Sequence, residues 1–373
     1  MTGRDRNLTE LVIDMKNVDN GGAFSLAAAV RKNRSLLKLT VSCDSIHAVG
    51  AAHFADALKL NDTLLTLNLS HNYIGATGAE AICESLRTNN SLRKLVLDSN
   101  HIKHMTMRYE TTPTSIFDSL RCNTGLRTLS LWGNFIGDDG IESLAETLMV
   151  NVSIEVLCLK ETDFGARGAK YLCDALMVNS SLREIDVAQN KIGPDGAKFF
   201  GMALTHNQNL QALDISDNCI ECDGAAAIGK ALRQNTCLRC LYVAENMIEA
   251  AGAAELSKGI SRNEDLQTLI LSCNPIEDDG AKALGSALCV NKTLQHLNLA
   301  ETHMTSKGAE ALSFALRSNE GLRTLDLTEN DLEHFHSAAF CNGKLRDNQR
   351  VIVQHYQTHG VPYHYPCLST NID

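Results

Sequence analysis

One eleven-residue pattern, L-x-x-L-x-L-x-x-N-x-I, recurs through almost the whole 373-residue chain, and no other feature restricts its fold so strongly. Its opening apolar residue falls at Leu8, Leu36, Leu64, Leu92, Leu126, Ile154, Leu182, Leu210, Leu238, Leu266, Leu294 and Leu322, so that ten of the eleven intervals are 28 residues and one is 34. A period held this tightly predicts a single stack of twelve units over residues 1–335, each sharing its core with its neighbours. Length alone would have implied two or three separate domains.

Within a unit the third and fifth residues after the opening Leu are also apolar (Leu67 and Leu69, Ile185 and Val187), the period of two expected of a short parallel strand. Eight residues after the opening Leu stands Asn72, Asn100, Asn134, Asn190, Asn218, Asn246, Asn274 or Asn330, whose amides are expected to form a ladder along the turns, with Asp44, Thr162 and Thr302 as partial substitutes and Lys16 as a terminal irregularity. The second half of each unit carries a Gly at one offset, for example Gly78, Gly196 and Gly252, followed by apolar residues at helical spacing such as Ala79, Ile82 and Leu86. A second Asn, 25 residues after the opening Leu from Asn33 to Asn319, is expected to close each helix in the left-handed conformation. That Asn accounts for the Asn-X-Ser/Thr sequences at Asn33, Asn61, Asn89, Asn151, Asn179 and Asn291 without invoking glycosylation.

These repeats, as in LNLSHNYIGATGAEAICESLRTNNSL (67–92), resemble ribonuclease-inhibitor-type leucine-rich repeats over nearly nine tenths of the chain. Similar arrays occur in ribonuclease inhibitors, NOD-like receptor repeat regions, the Ran GTPase-activating protein and ciliary or axonemal proteins. The resemblance implies an α/β leucine-rich-repeat solenoid, a horseshoe with parallel strands on the concave face and helices on the convex face. It implies a scaffold for protein–protein interaction, not a particular partner. GTPase activation is the alternative from another class; the near-neutral tail rich in His and Tyr departs from the acidic extension of the Ran activator, and no functional residues carry over. A cytoskeletal or ciliary assembly and an innate-immune regulatory role are two settings the resemblance leaves open.

Thirty-four Lys plus Arg against 44 Asp plus Glu give a net charge of −10, which disfavours a nucleic-acid partner. No 18-residue apolar window exists and the first residues are charged, which argues against membrane insertion or Sec-type export. The thirteen Cys form no secreted-type framework, so reduced thiols in a cytoplasmic protein are expected.

The imbalance of charge is localised. At the second, fourth, sixth and seventh places after each opening Leu, expected on the inner face, stand Glu10, Asp14, Asp98, Glu161, Glu184, Asp186, Asp214, Asp217, Glu245, Glu301, Asp326 and Glu329 against only Lys38, Lys94 and Lys160. An acidic inner wall predicts a protein partner with a basic surface, bound by a monomer or by a subunit of a larger assembly. Trp132, the one Trp, with Tyr242 and Ile270, are candidate apolar anchors on that face. The six extra residues of the 34-residue interval lie within 103–110, a rim loop in which Met105, Met107, Arg108 and Tyr109 supply an adaptable contact surface, ahead of a helix expected near Thr112-Pro113.

Catalytic and metal chemistry find little footing. Cys219-x-x-Cys222 and Cys237-x-x-Cys240 have a zinc spacing, but the repeat frame puts the pairs at different ends of a unit. His355, His359 and His364 in residues 336–373 are read as part of a capping tail with Phe340, Val351, Tyr356, Tyr363 and Tyr365. No Gly-rich phosphate loop, nucleophile elbow or HExxH motif occurs, so no catalytic residue, cofactor or metal is assigned.

Overall fold

The computed structural model describes residues 8–14, 18–103, 116–332 and 350–352. They belong to two compact units, residues 1–164 with 174–182, and residues 165–173 with 183–373. In the first unit the strands β1 (Glu10–Ile13), β2 (Lys38–Val41), β3 (Thr66–Asn68), β4 (Lys94–Val96), β5 (Thr128–Ser130) and β6 (Val156–Cys158) pair in parallel in chain order. Thr66 stands opposite Lys94 and Lys94 opposite Thr128, so the 28-residue and the 34-residue intervals deliver the same strand position. Between the strands run α1 (Asn20–Lys32), α2 (Ala48–Leu58), α3 (Gly75–Ser85) and, after β5, α4 (Gly137–Leu148). The long repeat departs from this scheme: its described part holds a four-residue 3-10 helix, Asp118–Arg121, and the helix start expected near Thr112-Pro113 lies outside the described residues.

The second unit repeats the plan with β7 (Glu184–Asp186), β8 (Ala212–Asp214), β9 (Cys240–Tyr242), β10 (Thr268–Ile270), β11 (His296–Asn298) and β12 (Thr324–Asp326). Its helices are α6 (Gly193–His206), α7 (Glu221–Leu232), α8 (Ala250–Ile260), α9 (Glu277–Leu288) and α10 (Ser306–Leu316), while α5 (Ala166–Leu176) has residues in both units. A further strand, β13 (Arg350–Ile352), pairs in parallel with β12 and was not expected from the Leu pattern. The rest of the proposed capping tail, with His355, His359 and His364, lies outside the described residues.

The alternation within each strand sorts its side chains. Leu67, Leu69, Leu241 and Val243 are fully buried against the helices, whose inner stripe supplies residues such as Ile82, Leu86, Ile228 and Leu256; each such side chain contributes roughly 1.5–3 kcal/mol. Close helix contact requires the repeated Gly. A Cβ on Gly252 of α8 would stand 2.8 Å from Ile248 Cγ2, closer than real side chains approach, and 3.0 Å from the backbone Cα of Cys222 in α7, a tight contact.

Two families of Asn lock the repeats together. Asn246 Nδ2 donates to the carbonyls of Ile215 (2.9 Å) and Ala244 (3.0 Å), while its Oδ1 accepts from the N–H groups of Asn218 (3.0 Å) and Ile220 (3.2 Å). The second family does not take the left-handed conformation expected of it: Asn33 and Asn207 are extended, with ψ of 142° and 123°. The reason is that the side chain, not the backbone, makes the cap. Asn263 Oδ1 accepts from the N–H groups of Asp265 (2.9 Å) and Leu266 (2.7 Å), starting the next strand, and Nδ2 donates to Leu232 and Asn235 carbonyls one repeat back (2.8 and 2.9 Å). Asn61, Asn89, Asn151, Asn179 and Asn291 spend their amides in the same way and are buried.

Asn246→Ala strips four hydrogen bonds from a buried site, so a loss of about 3 kcal/mol is expected. Asn330→Ala, at a half-buried site in the last leucine repeat, should cost less in the same urea titration. Equal midpoints for Asn246→Ala and the unaltered protein would remove the amide ladder as the organising element.

Candidate functional site

The side chains available for contact lie on the strand face, opposite the helices, and along its edge. At the seventh place of ten repeats the chain turns from strand to helix through a left-handed residue: His71, Ser99, Gly133 and Glu161 in the first unit, and Gln189, Asp217, Glu245, Cys273, Glu301 and Glu329 in the second, all with φ between 50° and 68°. Nine of these ten are not Gly, although that conformation costs an L-residue roughly 1–2 kcal/mol. The turn is held from outside: the N–H of Glu245 donates to Ser272 O (3.0 Å) and that of His71 to Asp98 O (2.9 Å), each one repeat onward. Within each unit the seventh-place side chains are thereby set in a row.

In the first unit the structure brings four of the predicted site residues together. The half-buried Trp132 donates from its indole Nε1 to the Glu161 carboxylate at 3.1 Å, Lys160 Nζ lies 6.0 Å from its ring centroid, and His71 meets it edge-on at 6.2 Å. Asp98 is not an open surface charge as the sequence implied. It is 1% exposed and accepts from Ser130 Oγ (2.5 Å) and the Trp132 backbone N–H (3.0 Å), so it positions the Trp132 strand end. Burial pushes its pKa up to about 6 against those two hydrogen bonds and the nearby His71 and Lys94 charges. Lys94 is shifted downward, first by burial and also by Lys38, with Asp98 opposing. Met105, Met107, Arg108 and Tyr109 lie outside the described residues.

An aromatic ladder at the edge escaped the sequence reading. His47 stacks on Tyr73 with centroids 5.5 Å apart, Tyr73 on His101 at 4.9 Å with planes 5° from parallel, and Phe135 is exposed at the same ninth place one repeat later. Aligning the ninth places, Tyr73, His101 and Phe135, would have exposed it.

The second unit divides the acidic residues into two kinds. Asp186, Asp214 and Asp326, at the fourth place, accept from the backbone N–H two residues on at 2.9–3.0 Å, and Asp186 and Asp326 are buried. They are turn-forming carboxylates, like Asn68 and Asn298 at the same place. Asp217, Glu245 and Glu301, at the seventh place, are the solvent-reaching kind, and among the described residues none of the three forms an ion pair. An open groove of about 870 Å³ runs beside them, lined by Asp217, Glu221, Glu245, Met247, Glu249 and Cys273 among others. Cys273 donates its thiol to Glu301 at 3.3 Å, and burial together with that carboxylate raises its pKa to about 12.

Tyr242 and Ile270 are buried, at 1% and 5% exposure, in one cluster with Ala212, Cys240 and Ala244; neither is an exposed anchor. The expectation of reduced thiols throughout also needs correction. Ten described cysteines are free, but Cys240 is disulfide-bonded, which its place on the strand face allows because it is not enclosed between sheet and helices. Among the described residues no three His, Cys, Asp or Glu side chains gather as a metal site, and no helix is long and apolar enough to cross a membrane.

The leucine-rich-repeat family profile matches residues 60–83, 122–145, 178–201, 206–229, 262–285 and 290–313. Among solved structures, an internalin from Listeria monocytogenes is similar with a TM-score of 0.52 and 17% identity, over 94% of this chain and 88% of that one. Actin-binding site 2 of leiomodin-1 is 21% identical over 33% of this chain and 73% of that one, at a TM-score of 0.29 that supports no argument from it. Curated protein sequences give no significant match.

The raised pKa of Asp98 predicts a pH dependence of defined sign. The folded state holds a proton that the unfolded chain releases between pH about 4 and about 6. Stability should therefore fall as pH rises through that window, by about 3 kcal/mol for this group. Asp98→Asn keeps an acceptor for Ser130 and Trp132 and should flatten that part of the pH–stability curve; an unchanged slope would place the carboxyl in water.

Proposed function

Because this chain is a leucine-rich-repeat protein, we propose that it is a non-catalytic scaffold that binds a protein with a basic surface along the seventh-place edge of its repeats. Leucine-rich-repeat proteins act in general as interaction scaffolds, and the repeat supplies the fold while the strand-face and edge residues supply the choice of partner. The observation that carries the proposal is the set of uncompensated carboxylates Asp217, Glu245 and Glu301, aligned by the repeat beside Glu221 and Glu249. Several other surface acids are paired: Asp195 and Asp223 with Lys198, Asp279 with Lys282, Glu155 with Arg127, Asp265 with Arg239. A row of like charges left unpaired on one edge raises the local negative potential and steers cationic surfaces toward it.

Contact beyond charge comes from Met247 beside the groove, 59% exposed, and in the first unit from Trp132, whose indole is already oriented by Glu161. An indole held by its N–H pays little further ordering cost when a partner covers its face. The basic partner would contact Asp217 and Glu245 in the second unit, and Lys160, Glu161 and Trp132 are the candidate contacts of the first; Asp98, Asp186 and Asp214 support the turns of their own repeats.

A fluorescent decalysine peptide tests the charge reading. Its binding should weaken steeply between about 0.05 and about 0.3 M salt. Asp217→Lys, Glu245→Lys and Glu301→Lys together should slow its association about tenfold or more. Reversing Asp62, Glu84 and Glu146, exposed elsewhere, should have a much smaller effect; equal losses from both triple variants would sink the edge as a binding site. Trp132→Ala should leave the association rate nearly unchanged and shorten the lifetime of a complex that uses it, by about 2 kcal/mol.

A further inference from the structure

At the ninth places of four successive repeats of the first unit stand Tyr73, His101, Phe135 and Asp163. The backbone keeps one register along this edge. Phe135 N–H donates to Ile102 O (2.9 Å) as Tyr73 N–H donates to Ile46 O (2.8 Å), and Lys103 bridges to Phe135 as His47 bridges to Tyr73. The rings do not follow. His47 and His101 stack on Tyr73 at 5.5 and 4.9 Å, from the repeats before and after it. Where Phe135 would need the counterpart of His47 the chain has Lys103. Among the described residues Phe135 therefore stacks on no ring and lies under no cation, and it is 56% exposed.

The interrupted row opens into a cleft of about 510 Å³ whose walls include Phe135, His101, Lys103, Asp138, Asp139 and Asp163. That volume falls within the range of roughly 300–1,000 Å³ typical of ligand clefts. Three carboxylates stand there against one ammonium, so the cleft has an excess of negative charge. Asp138 and Asp139, in the first turn of α4, outweigh the roughly half positive charge of that helix end. The walls thus offer two kinds of attraction at once: the face of a phenyl ring, which draws cations within about 6 Å of its centre, and carboxylate oxygens that accept N–H groups. A guanidinium uses both, since it is flat and weakly hydrated, stacks on a ring and donates five N–H groups in its own plane. A lysine ammonium, compact and strongly hydrated, gains less from the ring.

We propose that this cleft receives the guanidinium of an arginine side chain from a protein partner, stacked on Phe135 and hydrogen-bonded to carboxylates among Asp138, Asp139 and Asp163. A protein source fits the surroundings. Exposed His47, Tyr73 and His101 continue the edge beside the cleft, so residues flanking the arginine lie along a row of rings. The site belongs to the first unit and does not rest on the carboxylate edge of the second; loss of decalysine binding at that edge leaves it standing.

The δ1 methyl of Ile136, on the cleft wall, reports occupancy by NMR in the full chain. Titration with acetyl-Ala-Ala-Arg-Ala-Ala-amide should shift that signal to saturation. The same peptide with citrulline, which has nearly the shape of arginine without its charge, should bind about tenfold more weakly or less, and equal binding of the two overturns the guanidinium. Phe135→Leu retains an apolar side chain at an exposed position and should weaken the arginine peptide about fivefold. Asp139→Asn with Asp163→Asn should weaken it by about tenfold. Unchanged affinity in either variant overturns the site. Free arginine, lacking the flanking residues, should bind more weakly than the peptide; equal or tighter binding assigns the cleft to a small molecule and overturns the protein partner.

Discussion

The structure depends on a carboxamide that has as many hydrogen-bonding positions as the turn between strand and helix leaves empty. A side-chain amide offers two donors on nitrogen and two acceptor directions on oxygen, and Asn246 uses all four, toward Ile215 and Ala244 on one hand and Asn218 and Ile220 on the other. An Asp at this place could accept but not donate, and a Gln would carry its amide one carbon too far. Because each Asn joins its own turn to the adjacent one, the repeats cannot slip against each other without breaking a row of buried bonds. The residue before the Asn is forced left-handed by the same arrangement, even when it is Glu or Asp.

That division of labour frees the seventh place from any packing duty. His71, Ser99, Gly133, Glu161, Gln189, Asp217, Glu245, Cys273, Glu301 and Glu329 have one backbone conformation in common and no common chemistry. A side chain that the fold neither selects nor forbids is available for recognition, and its neighbours stand at the strand spacing of about 4.8 Å. Asp217, Glu245 and Glu301 acquire their meaning from alignment: singly each would be a solvated surface charge, whereas in line and outside any ion pair among the described residues they add. The fourth place behaves oppositely. Asp186, Asp214 and Asp326 share it with Asn68 and Asn298 because what is used there is an oxygen that accepts a backbone N–H.

The fold was legible because the core residues recur: the spacing of Leu64, Leu67 and Leu69 alone located β3, and the same count located every strand from β1 to β12. Strand β13 was not legible, since Arg350–Ile352 pairs after an interval of 26 residues and lacks the Leu pattern. The site was legible in part. Trp132, Lys160 and Glu161 are adjacent in sequence frame and in space. Counting charges by place did not distinguish a carboxylate bound to the backbone from one reaching solvent, because both are Asp at an outward place and only hydrogen-bond geometry separates Asp186 from Asp217. Tyr242 was read as exposed for a similar reason: alternation tells which face of a strand a residue is on, not how tightly neighbours on that face, here Ala212, Cys240, Ala244 and Ile270, gather about it.

Exposed apolar patches carry a cost that a repeat protein can meet in few ways. Each unit's helix is already committed to the opposite side of the sheet, so no element of the repeat itself can cover Tyr242 and Ile270. Leaving them in water would forfeit the several kcal/mol that burying two large side chains supplies and would offer a sticky surface at the centre of the second unit.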